Sequence, residues 1–121
     1  MKTASEITND LQNFYGTEHY YAYRALGFPN LKLTDGVKYL AEAAECYWLL
    51  EIVASVGKKL RAKDHFHVIT LKADGKGGAT FTADDGNGNI HHTQKLEYSS
   101  FPLPEIKLYF IDDVLLLVSE Y

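Results

Sequence analysis

The stretch "GVKYLAEAAECYWLLEIVASVGKKLRAKDHFHVITLKAD", residues 36–74, changes its hydrophobic period part-way and so decides the fold class. Up to about Leu60 the apolar residues recur at helical spacing; from Asp64 onward they alternate. The first part predicts a helix from about 35 to 59, with Thr34 or Asp35 as its N-cap. At about 100° per residue, Lys38, Glu42 and Glu45 share one face, and Leu40, Ala43, Ala44 and Tyr47 lie opposite. Past Tyr47 the pattern turns over. Leu49, Ile52 and Val56 continue the face that began as polar, while Glu51, Ser55 and Lys58 take the apolar one. A surface helix does not change faces, so the expectation is a central helix whose middle, "CYWLLEIV", is enclosed all round.

The second part opens a series of strands. "HFHVITLKAD" (65–74), "GATFTAD" (78–84), "NIHHTQKLEY" (89–98), "EIKLYFID" (105–112) and "VLLLVSE" (114–120) all alternate. They are punctuated by "DGKGG", "DDGNG", "SSFPLP" and Asp112-Asp113, chemistry that suits hairpins because Gly takes positive φ without cost and Asn tolerates it. Ahead of the long helix, Thr3 or Ser5 can cap a short helix over 4–14, with Ile7, Leu11 and Phe14 on one side and Gly16 ending it. "TEHYYAYRALGF" (17–28) reads as extended, Phe28-Pro29-Asn30 as a loop and residues 31–33 as a short strand. Residues 1–121 therefore predict a single α+β domain, its central helix packed across a meander of about five antiparallel strands. Leu40, Ala44, Tyr47, Trp48, Leu50, Ile52 and Val53 form one side of the expected core. Ile69, Leu71, Phe81, Leu96, Leu108, Phe110, Leu115 and Leu117 form the other.

Composition narrows the function classes. The 121 residues are 46% hydrophobic and 23% charged, an ordinary balance for one folded domain. Cys46 is the only cysteine, which excludes an internal disulfide or a CxxC site and suggests a reducing compartment. "MKTASEITND" has no apolar signal core, and no apolar run reaches the ~18 residues of a membrane span. A soluble cytoplasmic protein is the expectation. The net charge of −4, with basic residues scattered apart from Lys58, Lys59, Arg61 and Lys63, disfavours direct nucleic-acid binding.

Four features invite a chemical reading. "TADDGNGNIHH" (82–92) has the cadence of an EF-hand loop, but its first and last ligand positions fall on Ala83 and Gln94, and strands flank it where helices belong. It reads as a hairpin turn. His65 and His67 share a strand face, and only one of His91 and His92 could join them, which is too few ligands for zinc. Glu51, inside the most apolar window of the long helix, could be a general acid or base paired with His19 or His67; otherwise it surfaces or bonds a tyrosine hydroxyl. Cys46 reads as a small core residue. No cofactor or nucleophile motif is present. The last feature is "EHYYAYR" (18–24), where His19, Tyr20, Tyr21, Tyr23 and Arg24 gather aromatic and cationic groups suited to a protein-binding hot spot. The whole sequence holds nine tyrosines.

"FYGTEHYY" (14–21), "LTDGVKYLAEAAECYWLLEIVAS" (33–55), "DDGNG" and "FPLPEIKLYFIDDVLLLVSEY" (101–121), in that order, resemble a family of small bacterial proteins described only as a domain of unknown function. Its members occur in cyanobacteria and other bacteria, often on phages and mobile elements. The resemblance brings no catalytic residues. It implies a small accessory protein that binds host machinery, a host-defence inhibitor of the anti-CRISPR kind or an inhibitor of a nucleic-acid-processing complex. The favoured expectation is thus a non-enzymatic binder with a tyrosine-rich acidic surface for a protein partner, and homodimerisation is left open. The alternative is a small hydrolase using Glu51 and a histidine.

Overall fold

A computed structural model describes residues 2–25 and 28–121; for residues 24, 25 and 28–30 it describes the backbone course alone. The chain runs α1 (Ala4–Leu11), β1 (Tyr20–Ala25), β2 (Phe28–Thr34), α2 (Asp35–Ala43), α3 (Tyr47–Lys63), β3 (Phe66–Ala73), β4 (Ala79–Asp84), β5 (Ile90–Leu96), β6 (Glu105–Ile111) and β7 (Val114–Leu117). A 3₁₀ turn at Val118–Glu120 follows.

The class is α+β, as expected, but four details differ. The sheet has seven strands in the order β1-β2-β7-β6-β3-β4-β5, and it is mixed because β2 and β7 run parallel. The expected loop at 28–30 belongs to β2. The five later strands stand where the alternation put them, but they are no simple meander. β6 returns past the β3–β4–β5 hairpins to pair with β3, the four-strand order of a Greek key.

The fourth correction concerns the long helix, which is two helices. α2 stops at Ala43, and Glu45 takes a left-handed φ of 50°. The Cys46 amide then donates back to Ala41 O and the Glu45 amide to Glu42 O. This is the Schellman arrangement, with Glu where Gly is usual. The change of face at Tyr47 is therefore a change of helix axis. α3 is amphipathic in its own right, burying Leu49, Leu50, Val53, Ala54, Val56 and Leu60 and exposing Glu51, Ser55 and Lys58. Tyr47, expected in the core, is 45% exposed at the new helix's first position. Trp48 and Ile52 are half-buried.

At the N-terminus Thr3 is the cap of α1, with Glu6 completing a capping box, and the helix ends at Leu11, well short of Gly16. Thr34 caps α2. α2 and α3 lie on one face of the sheet. There Phe81, Phe110, Ile69, Leu71, Leu108 and Leu115 are buried, each aromatic contributing roughly 1.5–3 kcal/mol by burial. The opposite face has no helix among the described residues. No described helix is long and apolar enough to cross a membrane.

Candidate functional site

β1 alternates, and this sorts the residues of "EHYYAYR" onto both sides of the sheet. Tyr21 and Tyr23 pair with the buried Leu33 and Leu31 and so lie on the helix side; Tyr20, 61% exposed, and Ala22 lie on the open side. His19 is exposed in the loop before the strand, its Nδ1 3.9 Å from Asp35. The side chain of Arg24 lies outside the described residues. His19, Tyr20, Tyr21 and Tyr23 are thus not one patch.

What the helix side assembles instead is a cleft of about 780 Å³ between α1, β1 and α2, lined by Phe14, Tyr21, Tyr39, Lys2, Lys38 and Asp35 among others. Three tyrosine hydroxyls are tied to three carboxylates in and beside it. Tyr21 donates to Asp35 Oδ1 at 2.9 Å, Tyr23 donates to Glu51 Oε1 at 3.0 Å, and Tyr39 donates to Asp10. The Lys38 ammonium sits 4.8 Å from the centre of the Tyr21 ring and that of Lys2 5.3 Å from the Tyr39 ring. Phe14 packs on Tyr39 with centroids 5.3 Å apart, and Tyr23 stacks on Tyr47 at 6.3 Å. The rings are held at both ends, by packing and by hydrogen bonds.

The electrostatics follow from those bonds. Asp35 is held below the usual aspartate range chiefly by the Glu18 amide at 3.0 Å, with Tyr21 and Thr17 adding to it. Asp10 is lowered by the Tyr39 hydroxyl and by Lys2. In return the tyrosines are raised, Tyr21 mainly by its bond to Asp35, Tyr23 and Tyr39 mainly by burial. Asp10 and Asp35 are therefore ionised and the three phenols neutral at neutral pH. The lining itself carries Asp35 and Glu42 against Lys2 and Lys38, and Asp10, Glu18 and Glu51 beside it give the neighbourhood its acidic excess. Sequence reading missed Tyr39, Asp35 and Lys38. Their signal was the i, i+3, i+4, i+7 series Asp35, Lys38, Tyr39, Glu42, which lines one side of α2.

Glu51 is exposed, and the partner it takes is Tyr23, not a histidine. Cys46 is buried, with its thiol pushed up to about 12 by burial, so it is a core residue and not a nucleophile. "DDGNG" is the β4–β5 hairpin turn, with Gly86 and Gly88 at φ of 84° and 93° and the Asp85 carboxylate accepting from the Asn87 and Asn89 amides.

The histidines are arranged differently from expectation. His65 precedes β3 and sits beside Asp64. A register shift near Asp84 in the β4–β5 ladder brings His91 onto the helix side with His92. His91 Nδ1 then lies 2.8 Å from Nε2 of His67, a fully buried residue whose Nδ1 has no partner among the described residues. Burial, reinforced by His91, lowers His67 below the ordinary histidine range. Among the described residues no three metal-ligating side chains converge.

A family model matches residues 5–121, the cleft, the sheet and the histidine pair together. The chain belongs to DUF6876, a family of unknown function. No curated protein and no solved structure matches it.

Proposed function

We propose that the protein is a non-enzymatic binding module that docks a basic segment of a partner protein in its acidic, tyrosine-lined cleft. The observation that carries this reading is the set of three tyrosine–carboxylate pairs, Tyr21 with Asp35, Tyr23 with Glu51 and Tyr39 with Asp10. Rings fixed before binding give up little rotamer freedom, which is how aromatic anchors become hot spots. Ionised carboxylates around them attract lysine and arginine, and the ring faces already hold ammonium groups at cation–π distance. A partner built to hold phosphates offers such a basic segment. The proposal extends to a mobile-element role in which that partner is a host defence or nucleic-acid-processing complex.

The test is affinity capture from bacterial lysate with the wild type beside Tyr21→Ala, Glu42→Lys and, as a control far from the cleft, Lys76→Glu. A partner held by the wild type and the control, but lost by at least tenfold in the two cleft variants, is the expected result. Equal recovery by all four proteins would overturn the reading.

A further inference from the structure

The uncovered face of the sheet has a different chemistry from the cleft, and the two lie on opposite sides of the molecule. Strand pairing fixes which residues share it. Tyr109 is opposite Val68, Thr70 opposite Lys107 and Thr82, and Lys72 opposite Glu105 and Thr80, whose other neighbour is Lys95. Phe66 and Tyr109 lie half-exposed on adjacent central strands, ring centres 5.1 Å apart, with the exposed Tyr121 5.3 Å from Tyr109. One half of the face is therefore aromatic. The other half is a band of threonine hydroxyls and lysines, two residues further along each strand, about 7 Å away at 3.3 Å per residue.

The charge on this face runs against that of the chain. Within the strands Lys32, Lys72, Lys95 and Lys107 stand on it, all exposed, against only Asp84 and Glu105. Among the described residues none of the four lysines is in an ion pair. The chain as a whole carries −4, so the acidic excess sits elsewhere, much of it around the cleft. Fields between exposed charges fade over about 8 Å at physiological salt, and the net charge does not set the potential here. A second copy of the chain placed face to face would set lysines against lysines, so this face does not suit a symmetric dimer.

We infer that the open face of the sheet, with Phe66, Tyr109 and Tyr121 beside Lys72, Lys95 and Lys107, binds single-stranded nucleic acid. Unpaired bases stack on ring faces set in a sheet, and the adjoining ammonium and hydroxyl groups take the phosphates. A duplex hides its base faces and would find only the lysines. An acidic peptide would use the lysines and leave the rings idle. The basic group at the end of α3 is a poorer candidate, because Arg61 is paired with Asp113 and Lys59 contacts His92.

The test is fluorescence anisotropy of a labelled oligothymidylate of about 12 nucleotides titrated with the intact protein. With about three phosphates neutralised, affinity should fall roughly 15–20-fold between 50 and 200 mM salt. Lys72→Glu with Lys107→Glu, both exposed positions, should weaken binding at least tenfold while the circular-dichroism melt is kept. Tyr121→Ser, also exposed, should weaken it by about fivefold or more through lost stacking. Lys58→Glu with Lys63→Glu should leave it unchanged. Absence of saturable binding at low salt would overturn the inference. So would equal affinity for a duplex, displacement by oligoglutamate as effective per charge as by unlabelled oligothymidylate, or loss of binding confined to the α3 variant.

Discussion

His67 is the residue at which the core departs from apolar packing. It is fully buried on β3, one ring nitrogen faces His91, and the other has no hydrogen-bond partner among the described residues. A buried polar atom without a partner costs roughly 1–3 kcal/mol, and replacing it with an apolar group of similar reach removes that cost. His67→Leu should therefore be neutral or stabilising by up to about 1–2 kcal/mol near pH 8, where the wild-type ring is neutral. Urea denaturation checks this. A loss of more than about 1 kcal/mol would mean that the Nδ1 atom finds a bond. His91, half-exposed, can turn to water when its neighbour is gone.

At the scale of elements, the chain's last turn secures the start of α2. Glu120 Oε1 accepts from the Thr34 hydroxyl at 2.6 Å and the Leu117 amide at 2.9 Å, and Oε2 accepts from the Gly36 amide at 3.0 Å. A carboxylate at a helix N-terminus meets free N–H groups and the positive end of the helix dipole. Gly36 leaves room for it, since a Cβ there would lie 2.7 Å from Oε1. Glu120→Ala should cost about 1.5–3 kcal/mol in a denaturant titration, because Thr34 is buried and loses its acceptor, and Glu120→Gln should cost less. This clamp links residues 84 and 86 positions apart in sequence, and no local pattern announces such a pair. The same division runs through the fold. Strands β3–β7 were legible because alternation is local, and α1 and α2 because Thr3 and Thr34 are local caps. The parallel contact of β2 with β7, the return of β6 to β3 and the bulge that turns His91 inward depend on partners distant in sequence. The break at Glu45 was visible as a change of face, but without a glycine to mark it a continuous helix was the simpler reading. Of "EHYYAYR" only Tyr21 lines the cleft, and the rest of its lining comes from α2 and from Lys2 and Phe14 on either side of α1, residues that no local pattern joins to that stretch.

Across the whole molecule, titrating groups divide into two acid windows and one alkaline one. His67 binds its proton less readily in the folded chain than at the ordinary value of 6.5. The unfolded chain is then protonated first, so stability begins to fall as pH drops through about 6.5 and stops falling once the folded His67 is itself protonated. Glu6, Asp10, Asp35, Asp74 and Asp85 are shifted the same way for the opposite reason: as carboxylates they are held ionised by hydrogen bonds. Their contribution is complete above the ordinary values of 4.5 and 3.8 and is lost as pH falls through their lower folded values. On the alkaline side Tyr21, Tyr23 and Tyr39 are raised from 10.0, so their contribution holds below that pH and is lost as pH climbs through the folded values. Urea midpoints measured from about pH 3 to 8 should therefore show a plateau, a first decline beginning near 6.5 and a second below about 4. His67→Leu should erase the first decline and leave the second. Asp85→Asn, which weakens the turn bonds to Asn87 and Asn89, should shrink the second and leave the first. A wild-type profile flat from about pH 7 to 5 would show that the buried imidazole takes up its proton without cost, and that His67 is not held neutral by burial beside His91.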